Sequence, residues 1–450
     1  MKKYNQSELP PGPRSIIPLR NLFRFRQDSL DFLKKIAGEY GDIVRFKIGP
    51  YQLVYLNHPD YIKEVLSVQH NKFVKGRPLE MAKALLGEGL LTSEGEFHKR
   101  QSRIIQPAFH RKMLETYATA MTDYTIRMMK GWKDGMQVDM MEEMIKLSTG
   151  IAGKTFFNVD IEHEAPEINK ALTIIMNLFG RITMPGSEIL LKLPLPGTLK
   201  FFRAKARLDE TIYRIIEERR SSGLNNGDLL SLLLQAQAET GDTGGMTNQQ
   251  IRDEAMTLFL TSFDTTSLAL TWSWYLLSQN PAVATELKEE LDRVLQGRTP
   301  VIDDYSQLKF TRMVLAESMR IYPPSYLIAR QAMEDFSLGS YKVTAGTIVL
   351  MSPYLIHHDS RFHADPEIFN PHTWAGRKET QYSSNTYFPF SMGPRACIGQ
   401  QYAWLEGVLV LATIAQSWNI QLVPGHLVEP VQLLNLRPKY GMKMQLQRRF

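Results

Sequence analysis

Phe390-Ser391-Met392-Gly393-Pro394-Arg395-Ala396-Cys397-Ile398-Gly399 holds the only cysteine of this 450-residue chain. A lone cysteine is most often a small buried hydrophobe. Its neighbours point elsewhere. Gly393 and Gly399 flank the sulfur, and glycine lets a backbone turn left-handed or approach another group closely. Such a turn can aim amide N–H groups at a thiolate and keep it ionised. Arg395 adds a fixed cation two residues before Cys397. From Gln400 to Leu411 the sequence reads as the start of an amphipathic helix. A thiolate at Cys397 then sits at a helix N-terminus, where the dipole favours negative charge.

One cysteine excludes a disulfide within the chain. Structural zinc and iron–sulfur clusters use three or four soft or imidazole ligands. A haem iron needs one proximal protein ligand, and a thiolate there pushes electron density toward O–O cleavage. A nucleophilic Cys–His pair is the rival reading. It gives no role to Arg395 or to the glycine spacing.

The pattern Phe390-x-x-Gly393-x-Arg395-x-Cys397-x-Gly399 matches in full the haem-binding signature of the cytochrome P-450 superfamily. Ala403 and Glu406 also stand where that family usually has them, and the resemblance runs over nearly the whole chain. It implies a mainly α protein with small β-sheets (α+β) and a long central helix over haem b. It implies one domain across residues 1–450, with 1–13 as a polar tail and Pro-rich hinge. Cys397 becomes the axial ligand of the haem iron. Phe390 and Gly399 belong to the cofactor cradle, and Arg395 contacts a haem propionate. The resemblance also implies His98 and Arg330 as propionate ligands. One turn after His98 this chain carries Ser102 in place of the family's cation.

Thr247-x-x-Gln250 is a capping-box pattern, and the apolar run after it continues to Asn280-Pro281. Inside that predicted helix lies Thr261-Ser262-Phe263-Asp264-Thr265-Thr266. A buried acid needs a partner. Either Asp264 pairs off the core and Thr265 bonds back to its own helix, or the two deliver protons. The family resemblance implies the second: Thr265 orients bound dioxygen, and Asp264 links it to water or a cation. Thr261 and Ser262 replace the small residue and the glycine of the family pattern. Ser262 narrows the space a glycine leaves and can bond the carbonyl four residues back, so it bears on oxygen activation.

Glu317 and Arg320 share one helical face as a pair. They resemble the family's buried structural Glu-x-x-Arg. Its usual third partner, a downstream arginine, is replaced here by Thr373, so His372 or a backbone carbonyl is expected to serve. The stretch Gly76–Gly95 shows no clear period and resembles the loop that roofs the family's pocket. Leu85, Leu86, Leu90 and Leu91 are then substrate contacts, with core packing the alternative for each. Thr261, Ser325, Leu327, Ile328 and Leu434 complete the implied pocket. The apolar run Ile174–Leu199 corresponds to a lid over the substrate channel.

Hydrophobic content of 43% and charged content of 22% are those of a soluble globular protein. The net charge of +6 suits a solvated surface or a basic patch for an acidic electron donor. No run of ~18 apolar residues and no signal-peptide core is visible. One cysteine fits a reducing, cytoplasmic compartment. A monomer without membrane anchor or nucleic-acid partner is expected. The resemblance implies a haem-thiolate monooxygenase. It inserts one oxygen atom from O2 into a C–H bond or C=C of an apolar molecule such as a fatty acid, terpenoid or steroid. NAD(P)H serves indirectly, through a separate ferredoxin or flavodoxin and its reductase. The altered Thr261-Ser262 pair keeps open peroxide-driven oxygenation, oxidative coupling or rearrangement on the same fold. A non-catalytic haem-thiolate ligand-binding protein is the other alternative, and Asp264 with Thr265 argues against it.

Overall fold

The computed structural model describes residues 8–13, 20–161, 193–238, 245–377 and 384–449, with a few positions between 167 and 178. Residues 1–7 of the expected tail and most of the expected lid lie outside the described residues.

The capping box forms as its sequence demands. Thr247 Oγ1 accepts from Gln250 N at 3.1 Å, and Gln250 Oε1 accepts from Thr247 N at 2.7 Å. The helix they start runs Asn248–Gln279, 32 residues, about 48 Å at 1.5 Å per residue. It is buried on nearly every side, which is what a core helix requires. The helices Met140–Phe157, Lys309–Ile321 and Gln400–Ser417 pack around it. Trp272 of this central helix stacks on Tyr322 at 4.0 Å and donates through Nε1 to Leu436 O at 3.1 Å.

The largest sheet has five strands in the order 43–48, 51–56, 348–351, 328–332, 73–74. The first two strands form a hairpin that closes with Ile48 opposite Tyr51, and Leu53–Leu56 pairs in parallel with Ile348–Met351. In the strand Ile328–Ala332, alternation buries Ile328 and Arg330 on one face. Pro11 of the Pro-rich segment accepts Arg45 N–H at 2.7 Å, so that segment lies along the sheet's first strand. A last hairpin, Pro430–Gln432 with Leu436–Pro438, clasps the front of the chain. Gln432 Oε1 accepts from Ser29 N, Ser29 Oγ and Leu30 N, and its Nε2 donates to Asp28.

One element differs from the sequence reading. The roof stretch contains a helix, Arg77–Leu86. Gly76 and Gly87 bound it with φ of 83° and 59°, leaving Leu79, Ala82, Leu85 and Leu86 at helical spacing on the buried side. After the first hairpin, a short helix Pro59–Lys63 passes into a π-turn over Glu64–Val68.

Candidate functional site

A cavity of about 1730 Å³ lies between the central helix, the roof, the strand Ile328–Ala332 and the cysteine loop. Cys397 lies on its floor. Its backbone N–H donates to Phe390 O at 2.9 Å, closing the loop. Ser391 and Gly393 both take positive φ, 64° and 72°. At Gly393 a side-chain carbon would stand 2.0 Å from Leu66 O, so glycine is obligatory there. Gly399 differs from expectation: its φ is −86° and a side-chain carbon would fit, 3.9 Å from Cys397 Sγ. It caps the helix Gln400–Ser417, which places Cys397 at that helix's N-terminus as predicted. The Cys397 side chain is exposed, but the space it faces is the cavity rather than bulk water. Burial pushes its thiol up, while the Gly399 N–H and the Lys75 ammonium pull it down.

Beside the floor stands a cluster of cations. Arg395 donates to Glu94 Oε2 at 2.6 Å and to Ser93 O at 2.9 Å. Arg330 is 6% exposed, and the one hydrogen bond described for its guanidinium goes to Ala329 O. Burial, with Arg395 nearby, lowers its pKa to about 10. Lys75 is held well below the usual ammonium range by burial and by Arg330 and Arg395. His98 Nδ1 meets Leu90 O at 3.1 Å, leaving Nε2 without a protein partner among the described residues. Burial and Arg395 lower its pKa to about 4, so it is neutral. Lys75, Arg330 and Arg395 thus face a single carboxylate, Glu94. Buried cations left unpaired are costly, and a ligand carrying two carboxylates would balance this cluster. The donor set therefore fits haem b with its two propionates. Lys75 and Glu94 escape the sequence reading. Neither belongs to a local pattern, and both reach the cluster through the fold alone.

Opposite the floor, Thr261, Ser262, Asp264 and Thr265 line the cavity. Thr265 Oγ1 donates to Thr261 O at 3.2 Å. Ser262 Oγ donates to Phe259 O at 2.9 Å, three residues back rather than the four expected, and the helix runs through without interruption. Asp264 is buried, and each of its oxygens accepts from the last loop: Oδ1 from Arg437, Oδ2 from Asn435. The cation sought for Asp264 is Arg437. Leu86, Leu90, Ser325, Leu327, Ile328 and Leu434 also line the cavity, as do Phe390 and His98. Ser102 lines it while Arg103 is exposed, as helix geometry predicts.

Glu317 and Arg320 stand apart from the cavity as a buried bidentate pair at 2.8 Å. Arg320 also donates to the carbonyls of His357, Pro366 and Ile368. Glu317 accepts from Asn370 N and from Trp374 Nε1 at 2.9 Å. Backbone carbonyls and an indole thus replace the missing arginine. His372 does not take part; it is exposed and pairs with Glu286.

The family pattern described as Cytochrome P450 matches residues 10–445. The chain belongs to the cytochrome P450 family. Cyclooctat-9-en-7-ol 5-monooxygenase of Streptomyces melanosporofaciens is 35% identical to it over 416 residues, covering 92% of this chain and 90% of that protein. Cyclooctatin synthase of the same organism is 35% identical, covering 90% and 89%. Pentalenene oxygenase of Streptomyces avermitilis is 29% identical, covering 97% and 96%. As a cytochrome P450 the protein binds haem b and is a monooxygenase. It uses O2, an apolar substrate and electrons from a redox partner. Among the described residues no helix is long and apolar enough to cross a membrane.

Proposed function

We propose that this cytochrome P450 oxidises a cyclic terpenoid. In this reading Cys397 would hold the haem iron through its sulfur. Arg395, Arg330, Lys75 and His98 would hold the propionates, and Thr265 with Asp264 would manage protons on the central-helix side of the cavity. The observation that carries it is the meeting, in one cavity, of a thiol floor, a buried cation excess and a hydroxyl-bearing helix. The substrate class is supported by relatives named for cyclooctatin, cyclooctat-9-en-7-ol and pentalenene. Apolar walls from Leu86, Leu90, Leu327, Ile328 and Leu434 suit such a molecule.

Haem, when bound, supplies O2 activation and the oxidation of the C–H bond. The chain supplies binding, orientation and protons. The Gly399 N–H and the Lys75 ammonium favour the thiolate at Cys397. The guanidinium groups of Arg395 and Arg330 fix carboxylates by charge-assisted hydrogen bonds. Thr265 Oγ1 turns its hydrogen from Thr261 O toward the cavity. Leucines from the roof and Leu434 from the last loop exclude water.

A ferredoxin or flavodoxin is the proposed donor, supported by the net charge of +6. A cytoplasmic monomer folded as one domain over 1–450 completes the proposal.

A spectral titration of the ferric protein tests the substrate class. Cyclic terpenoids should give a saturable low-to-high-spin shift, and fatty acids and steroids should not. A shift with fatty acids or steroids alone overturns the class. Thr265→Ala tests the chemistry: product formed per NAD(P)H should fall and peroxide should rise. Unchanged coupling would remove Thr265 from the mechanism.

A further inference from the structure

Glu254 is fully buried in the first third of the central helix. Its Oε2 accepts Leu90 N–H at 2.8 Å, while Oε1 has no partner among the described residues. One turn on, Thr257 Oγ1 is likewise buried and unpartnered. The roof lies directly over that hydroxyl: a side-chain carbon at Gly89 would stand 2.1 Å from Thr257 Oγ1. Orphaned polar atoms in a folded core demand a reason, and bridging water is the usual one.

Thr257, Thr261 and Thr265 follow at intervals of four, so three hydroxyl-bearing residues run along one helix face, all lining the cavity. Thr261 Oγ1 donates to Thr257 O at 2.8 Å, and Thr265 Oγ1 to Thr261 O. Each hydroxyl oxygen keeps lone pairs with which to accept. Asp264 contrasts with Glu254, since both its oxygens already accept from the last loop. Burial pushes the Glu254 carboxyl up to about 8; the Leu90 N–H opposes this, and the Asp253 carboxylate adds to it. Glu254 therefore carries a proton at neutral pH.

We propose that Glu254 is a second proton source for the cavity, feeding Thr265 along Thr257 and Thr261. The inference rests on the oxygenase reading above. Successive hydroxyls lie one helical turn apart, about 5.4 Å, beyond hydrogen-bond reach, so one water stands between each pair. The O–H bond of Glu254 breaks, and an O–H bond forms at each oxygen in turn up to Thr265 Oγ1. No electrons are transferred. The Glu254 carboxylate then takes a proton back from solvent on the side of Asp253 and exposed Glu88, whose N–H donates to Asp253 Oδ2 at 2.9 Å.

Glu254→Gln keeps an acceptor for Leu90 N–H but holds no transferable proton. In the haem-loaded protein, infrared difference spectra should show a protonated-carboxyl band that titrates near pH 8 and vanishes in Glu254→Gln. Coupled turnover of Glu254→Gln should fall roughly tenfold or more, as for loss of a general acid, with unchanged thermal midpoint and substrate spin shift. Thr257→Val should act in the same direction, and Glu254→Asp should restore part of the loss. Thr257→Val also serves if Glu254→Gln fails to fold. A band that persists in Glu254→Gln, or its absence from the wild type, overturns the proposal. So does normal coupling in Glu254→Gln and Thr257→Val while Thr265→Ala uncouples. Normal coupling in Thr265→Ala overturns the oxygenase reading of that residue as well.

Discussion

Arg437 donates through Nη2 to Asp264 Oδ1, tying the last loop of the chain to the middle of the central helix. The same loop brings Leu434 to the cavity wall. Removing one partner of a buried pair leaves an uncompensated charge. Arg437→Gln should lower unfolding stability in urea by roughly 3 kcal/mol. Adding Asp264→Asn should recover most of that loss. Purely additive losses in the double variant would mean that the pair has no coupling of its own.

Lys75 is the cation that no motif announces. Lys75→Met should speed loss of haem to a globin acceptor roughly tenfold, about the worth of one charged hydrogen bond. Lys75→Arg should restore retention. An unchanged rate in Lys75→Met would detach this residue from the cofactor.

Glu317 has donors for both oxygens without the arginine that Thr373 replaces. Trp374→Phe removes one of them, and an unsatisfied buried acceptor costs about 1–3 kcal/mol. That loss should register in the urea midpoint. Thr373→Arg should bring no gain in the same measurement. A clear gain would show that the indole and the carbonyls are an incomplete substitute.

His357 sets a pH dependence. Its Nε2 accepts Phe388 N–H at 3.1 Å, which places its hydrogen on Nδ1. Burial first, then His363, holds its pKa well below 6.5. As pH falls through about 6.5 the unfolded chain takes up a proton that the folded chain refuses, so stability falls with pH. The slope from this one group is at most about 1.4 kcal/mol per pH unit. His357→Gln should make the stability profile shallower by up to that amount on the acid side of 6.5. Parallel profiles for the two proteins would exclude His357 as a contributor.

What the sequence reveals here is what lies close along the chain. The Thr247–Gln250 capping box, the Glu317–Arg320 pair and the Cys397 loop are each complete within a few residues. Their backbone consequences follow directly. The roof helix Arg77–Leu86 was hidden because glycines at 76, 87 and 89 blur a period that only four apolar positions carry. Lys75 meeting Arg330, and Asp264 meeting Arg437, are products of the tertiary fold. No propensity or spacing encodes a pair 173 residues apart. Ser262 shows a finer limit: its hydroxyl had two carbonyls within reach, and the rotamer that settles the choice is a matter of packing.

The parallel pairing of Leu53–Leu56 with Ile348–Met351 has a consequence for biosynthesis. The first hairpin leaves the ribosome about 300 residues before its neighbouring strand, an interval of roughly 15–60 s at ordinary elongation rates. During that time its inner edge has nothing to pair with. The clasp at Gln432 comes later still. This enzyme's nascent chain therefore carries an unsealed sheet edge through most of its synthesis, an exposed strand that a chaperone can cover until Ile348–Met351 arrives.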